Sequence, residues 1–551
     1  MFSYISQNTI AQNYAKIDVA LQQEMILRDS TELIRINIIL NQQYDQAEMR
    51  SKSSVYRTKE QKRSFVIDEL KSFSKEEQQG LMNLLSTMPD VSDVQTFWIA
   101  NLINCYANIE AIEEITLHPD VLLIGFDKDE NVLPEKNLIH AAPTRGITYN
   151  ILKVQADKVW ASGYEGDGVI VAVLDTGINY DHDDLKNNMW SHPDFPYHGY
   201  NFVDNNNDPM DDNGHGTHVA GTVAGDGASG SQTGIAPKAK IMALKVLDWA
   251  PVSVWVSGIE FAIEYGAHIL NLSLGYINWI NDGIYETYSL ILRNAMVNVL
   301  EVGVIAAVAA GNEGDLIEFM RPPKNVRTPG NCPPPWLHPD QITTGGLSAV
   351  VCVGVTDIDD NIWYSIGGAS SIGPVTWQDI EEYEDYPYKP GMGLIRPDVC
   401  APGEDIKSLD CWDNSGYVTY YGGWTSMATP CVAGVMALML SANQELTPAQ
   451  ICEILETTAV RLPDISSPKN NTFGSGRVDA YAAVLTILCM RDLPTEEVII
   501  SQNTAWSESK CAIGTYIVNN GATLTITSEI KCSPNTKFIV EPGGSLIYLN
   551  R

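Results

Sequence analysis

Five short apolar runs, rich in β-branched residues, place the tightest limit on the fold. They are GVIVAVLD (168–175), KIMALKVL (240–247), AHILNLSLG (267–275), VGVIAAVAAG (302–311) and AVVCVGVTD (349–357). Each run is continuous rather than alternating, so each is expected to be buried on both faces. Segments of helical length lie between them. The pattern predicts an α/β unit over 150–492, a parallel sheet flanked by helices. Sheets of this kind place their chemistry at the carboxyl ends of the strands and at the helix starts that follow.

Three polar residues fall at such places. Asp175 ends VIVAVLD, His215 lies in DDNGHGTHVAGTVAG, and Ser426 lies in GGWTSMATPCVAG at the entry to an apolar helix. A serine that attacks, an imidazole that takes its proton and a carboxylate that orients the imidazole are what nucleophilic acyl transfer requires. Each residue alone has a plainer role. A strand-end Asp often caps the next turn, and a Ser at a helix start is commonly a cap. His215, flanked by glycines, is harder to explain structurally.

Four separated motifs resemble those of the subtilisin-like serine proteases, in that family's order: VAVLDTGI, NGHGTHVAGT, AAGNEG and TSMATPCVAG. GIAPKAKIMALKVL, NLSLG and RPDVCAPGEDI agree as well. The resemblance implies a serine endopeptidase with a subtilisin-like fold. Asp175, His215 and Ser426 take the triad positions, and Asn312 takes that of the side-chain amide that stabilises the oxyanion. Ser273, Leu274 and Gly275 match the strand that pairs with extended substrate. Protein or peptide substrates are implied, without an organic cofactor.

The flanking regions fit the same resemblance. Residues 1–30 read as a helical or leader segment. Residues 31–127 alternate strand, helix, strand, helix and strand, as in the small α+β propeptide of subtilases, which serves as folding aid and intramolecular inhibitor. Residues 128–149 read as a linker with the activation cleavage, Arg145–Gly146 being one candidate bond. Residues 493–551 alternate with period two between Asn-Gly, Pro-Asn and Gly-Gly turns and read as a short all-β segment. Such segments resemble β modules near the ends of secreted bacterial proteins.

Composition narrows the partners. A formal charge of −33 over 551 residues argues against nucleic acid, which needs clustered Lys and Arg. No apolar run approaches the length of a membrane span. An exported protein is implied by the resemblance, although no complete signal sequence is evident; FSYISQ reads as the tail of a longer one. The ten cysteines lack metal-ligand spacing. Cys511 and Cys532 are placed to pair, whereas Cys352, Cys400, Cys431, Cys452 and Cys489 read as buried thiols.

Departures from the family pattern bear on specificity. Trp424 replaces the usual glycine two residues before the nucleophile and reads either as a substrate-contacting wall or as core cover. Cys431 replaces the usual His and reads as core. Asp184 matches a position that often binds Ca²⁺, yet the neighbouring loop at 224–234 lacks the usual amide ligand. His182, His192 and His198 lie in an irregular stretch and read as loop residues. Two alternatives stay open at this stage. One is a processing protease narrowed by inserts at 320–341 and 377–390. The other is an inactive subtilase-like binding protein.

Overall fold

The computed structural model describes residues 15–133, 138–141, 146–277, 285–314, 322–339, 341–342, 346–361, 364–365, 368–376, 393–462, 469–490, 497–507, 510–512, 515–528, 530–532 and 536–549. The insert at 377–390 lies outside them, as does Arg145 of the candidate cleavage bond.

The N-terminal unit contains α1 (Val19–Leu27), β1 (Ile34–Leu40), α2 (Gln46–Ser53), α3 (Lys59–Leu85), β2 (Val91–Phe97), β3 (Leu102–Ala107), α4 (Ile109–Ile115) and β4 (Val121–Phe126). Its strands form one antiparallel sheet in the order β2-β3-β1-β4. The stretch expected as a single extended run from 91 to 107 is a hairpin, because Asn101 takes a left-handed φ of 42° and turns the chain back. Packing continues upstream of residue 31. Ile17, Leu21 and Met25 join this unit's core, and the Asp18 N–H donates to the Ile124 carbonyl at 2.9 Å.

After β5 (Leu138–Ala141) and the short helices α5 (Tyr149–Lys153) and α6 (Ala156–Ala161), the expected sheet begins. It contains β6 (Ile170–Asp175), β7 (Gly199–Asn201), β8 (Lys240–Lys245), β9 (Ile269–Leu272), β10 (Ile305–Ala309) and β11 (Val350–Thr356). A two-residue hairpin, β12 (Tyr364–Ser365) and β13 (Gly368–Ala369), precedes its last strand, β14 (Val399–Pro402). All seven sheet strands run parallel, in the order β14-β11-β10-β9-β6-β8-β7. Intervening helices α7 (His215–Ala224), α8 (Val252–Glu264) and α9 (Tyr285–Val302) cover its faces. The hairpin β15 (Glu404–Leu409) and β16 (Tyr417–Gly423) leads into α10 (Thr425–Ala442), followed by α11 (Pro448–Thr458) and α12 (Ala480–Met490). Among the described residues, α10 alone is long and apolar enough to cross a membrane. It is instead the buried central helix, packed on β9, β10 and β11.

Residues beyond 496 stack as coils. β17 (Glu497–Ile500), β18 (Thr504–Trp506) and β19 (Lys510–Ala512) pair in parallel with β20 (Thr515–Val518), β21 (Thr523–Ile526) and β22 (Ile530–Cys532). β23 (Lys537–Val540) and β24 (Ser545–Tyr548) continue the first two stacks. The turn residues therefore separate successive faces of a coil rather than the arms of hairpins. Cys489, expected as a free thiol, is disulfide-bonded where α12 meets these coils. The side chains of Cys511 and Cys532 lie outside the described set.

One hydrophobic cluster spans the N-terminal unit and the large sheet's helical face, with Ile39, Val66 and Trp98 in contact with the layer that holds Leu174, Val256 and Phe261. Polar contacts fix the docking. The N–H groups of Trp98 and Ile99, in the β2–β3 turn, both donate to Glu260 of α8, at 2.6 and 2.9 Å. Arg63 of α3 donates to the Ile263 carbonyl in the last turn of α8 and to the Ala267 carbonyl just beyond it, at 2.6 and 2.8 Å. Ser253 donates to the buried Asp127 at 2.6 Å.

Burial pushes the Glu260 carboxyl up to about 8, although its two N–H donors favour the ionised form. A carboxyl raised this way favours the folded chain most below its ordinary value of 4.5, and that contribution is lost as pH climbs through about 8. Two expectations follow for a Ser426→Ala background, read by urea unfolding. Glu260→Ala leaves two buried N–H groups unpaired and destabilises by ~1–3 kcal/mol for each. Glu260→Gln keeps an acceptor, loses little, and flattens the decline in stability between pH 5 and 8.

Candidate active site

Asp175 is the last residue of β6, at the carboxyl end of a strand near the sheet's centre. It is fully buried, and its Oδ1 accepts the Thr176 N–H at 2.8 Å. The same oxygen lies 2.7 Å from Nδ1 of His215, the first residue of α7. A carboxylate only accepts, so this contact places the imidazole proton on Nδ1 and leaves the Nε2 lone pair free to act as base.

The NGHGTH motif reads directly onto this geometry. Gly214 has φ 101°, a left-handed conformation that turns the chain into α7. A Cβ on Gly216 would lie 2.1 Å from the Gly177 carbonyl, so only glycine lets α7 approach the Asp175 turn. Asp211 organises the same corner. Its two oxygens accept from Thr176 Oγ1, the N–H groups of Asn213, Gly214 and Thr217, and Thr217 Oγ1, at 2.6–2.9 Å. Burial raises the Asp211 carboxyl while these donors pull it down. Sequence reasoning overlooked Asp211, whose signal was an acid placed four residues before the histidine.

Ser426 is the second residue of α10, so its N–H is among those at a helix start with no partner inside the helix. Asn312 is fixed beside it. Its Oδ1 accepts both the Thr425 N–H and the Thr425 Oγ1 hydroxyl, each at 2.9 Å. The Asn312 amide nitrogen therefore points the other way, as a donor. Pro430 sits four residues after Ser426 and has no N–H to give the Ser426 carbonyl. That carbonyl instead accepts from Ser273 Oγ at 2.9 Å, which ties the start of α10 to the 273–275 segment.

The Ser426 hydroxyl donates to the Ser273 carbonyl at 3.2 Å, and Nε2 of His215 is buried without a hydrogen-bond partner. Ser426 Oγ and Nε2 of His215 are therefore not hydrogen-bonded to each other. His218, one turn along α7, donates through Nε2 to the Ile406 carbonyl at 2.9 Å, and burial lowers it to about 3. It stays neutral and adds no charge beside His215.

The subtilase family profile matches residues 166–480, more than half of the chain. The chain belongs to the subtilase family. It is accordingly a serine endopeptidase, a hydrolase of peptide bonds. Subtilisin DY from Bacillus licheniformis is 31% identical over 343 residues, covering 61% of this chain and 98% of that protein. Subtilisin E from Bacillus subtilis (strain 168) is 30% identical over 380 residues, covering 68% and 78%. Bacillopeptidase F from the same organism is 29% identical over 474 residues, which is 79% of this chain but only 29% of that protein.

Other expected site residues of this subtilase take different places. Trp424 is 7% exposed, lies in the main core cluster, and donates its indole N–H to the Tyr421 carbonyl at 2.8 Å. It covers core rather than walling a cleft. Cys431 is fully buried, as expected of a core thiol. An exposed ring does stand near the histidine: a Cβ at Gly214 would lie 3.0 Å from the edge of Trp412. Nothing in the sequence around Trp412 marks it, because the β15–β16 turn brings it there.

Asp184 does not fit a calcium ligand. One carboxylate oxygen accepts the Ser229 N–H at 2.6 Å and the other accepts the Tyr417 hydroxyl at 2.8 Å, so donors stand where a cation needs acceptors. Among the described residues no group of three or more His, Cys, Asp or Glu is disposed to hold a metal. His182, His192 and His198 point to separate partners: the Gly416 carbonyl, the Trp190 ring and the Trp190 carbonyl.

Asp211→Ala should strand several buried donors and loosen the start of α7. We expect a stability loss of at least ~1–3 kcal/mol by denaturant unfolding. The rate of Ser426 labelling by a fluorophosphonate should fall in parallel, because His215 is no longer held against Asp175.

Proposed function

We propose that this subtilase is an exported endopeptidase made as a zymogen, working through Asp175, His215 and Ser426. The 2.7 Å contact between Asp175 and His215, beside a helix start pinned by Asn312, is the observation that carries the reading. In the reaction, Ser426 Oγ attacks the scissile carbonyl carbon while Nε2 of His215 takes its proton. Asp175 steadies the imidazolium that results. The tetrahedral oxyanion is held by the Asn312 amide and the Ser426 N–H, both fixed before the charge develops. Collapse expels the amine, which His215 protonates, and leaves an acyl-enzyme. Water activated by the same histidine then releases the acid.

Ser273, Leu274 and Gly275 follow β9 and would pair with extended substrate backbone, a mode tolerant of sequence. The N-terminal unit, in this reading, is the propeptide. Its linker supports the assignment: Glu130 forms an antiparallel bridge with Ala250, the Val132 carbonyl accepts from Arg327, and β5 pairs with β16, which leads into Ser426. The cut is therefore expected between Leu133 and Leu138, upstream of Arg145–Gly146.

Intact mass over time, for wild type beside Ser426→Ala, tests this directly. Wild type should shed the N-terminal unit, with a new N-terminus within the stretch bounded by Leu133 and Leu138, and Ser426→Ala should stay whole. If both stay whole and Ser426 resists a fluorophosphonate, the reading fails. Asn312→Ala should slow peptide hydrolysis by about 10²–10³-fold in kcat, as loss of one oxyanion donor does.

A further inference from the structure

We propose that Arg327 selects the substrate residue on the acyl side of the scissile bond, favouring a side chain that offers an oxygen acceptor, whether carboxylate or amide. The inference rests on the active-site reading above and adds its specificity.

The placement follows from the chemistry. The acyl carbonyl must sit over Ser426 Oγ with its oxygen toward Asn312, while that residue's backbone runs along Ser273–Gly275. Its side chain then enters the space between the 273–275 and 311–313 segments. Arg327 forms the floor of that space. A Cβ on Gly275 would lie 2.7 Å from Arg327 Cβ, and one on Gly311 would lie 2.9 Å from Arg327 Cγ. The two glycines clear room for the arginine stem between the segments. Its backbone is fixed as well: the Arg327 N–H donates to the Ala310 carbonyl at 2.9 Å, and Thr328 exchanges hydrogen bonds with Tyr276.

The guanidinium is held by the enzyme on two sides and by the linker on a third. Nη2 donates to Glu313 Oε1 at 2.7 Å, and Nε lies 3.2 and 3.3 Å from the two carboxylate oxygens. Nη1 donates to the Gly275 carbonyl at 3.2 Å and to the Val132 carbonyl at 3.0 Å. Glu313 is itself anchored, its Oε2 accepting from the Asn312 N–H at 2.9 Å and from Ser371 Oγ at 3.0 Å. The Arg327 side chain is only 16% exposed.

Departure of the linker removes the Val132 oxygen and leaves a poorly hydrated N–H without its acceptor. A substrate side chain bearing an oxygen restores that bond. Lysine or arginine meets like charge there, and a large aromatic leaves the donor unpaired. Because Glu313 offsets part of the charge, a neutral amide serves as well as a carboxylate.

The test uses the self-processed enzyme and a set of quenched peptides that differ only at this residue, carrying Glu, Gln, Leu, Phe or Lys. Wild type should prefer Glu and Gln over Phe and Lys by about 10–100-fold in kcat/KM, the worth of one hydrogen bond to a charged group. In Arg327→Ala that ratio should collapse, and Arg327→Lys should keep part of it. Glu313→Gln, which removes the offsetting charge, should raise the ratio of Glu to Gln. Fluorophosphonate labelling of Ser426 is read on every variant, so a variant that fails to fold is set aside and the ratios are taken from the others. A wild type that ranks Lys or Phe first overturns the proposal, as does an unchanged ranking in labelled variants. A wild type that does not label overturns the active-site reading and this inference together.

Discussion

The hydrogen bond from the Thr425 N–H to the Asn312 side chain organises everything around it. A helix start leaves donors without partners, and here one is given to a side chain from the neighbouring strand end. That single contact orients the amide and fixes the first turn of α10, in which Ser426 is the second residue. Pro430 completes the arrangement by freeing the Ser426 carbonyl for Ser273. Ser426, Asn312 and the 273–275 segment are thereby held as one body.

The region around the site divides its polar groups by task. Asp211 spends all of its accepting capacity on the α7 start, whereas Asp175 keeps one oxygen without a partner beside the histidine. The first arrangement is structural and the second suits a group that must answer a charge appearing during reaction. Asp184 belongs with the first kind, its oxygens closed off by Ser229 and Tyr417. Three buried aspartates thus differ in their surroundings because their hydrogen-bond partners differ, not because of burial.

Much of this was legible in the residues. Continuous apolar runs marked buried parallel strands, and Asp175, His215 and Ser426 could be placed at their ends. The glycines of NGHGTH signalled close approach, which the 2.1 Å clearance at Gly216 explains. What the residues hid depended on distant chain segments. The turn at Asn101 split one apparent strand into two, since a left-handed asparagine gives no periodicity. Trp424 read equally as cleft wall or core cover, and only the fold shows its buried ring donating to the Tyr421 carbonyl of the preceding strand. Arg327 lies in a stretch that reads as an insert, and only the fold carries it beneath Gly275 and Gly311. The C-terminal turns suggested β structure, but strand pairing across about twenty residues cannot be read from local alternation.

Those C-terminal coils have a consequence of their own. Val518, Leu524 and Ile526 are buried beneath the next coil, while their register partners Val540, Leu546 and Tyr548 are open to solvent. A stack in which each layer touches chiefly its neighbours can lose order one layer at a time. Damage to one coil, by heat or by another protease, is felt first by the coils beside it rather than by the sheet that carries Asp175. The coils can fray while that sheet keeps its register.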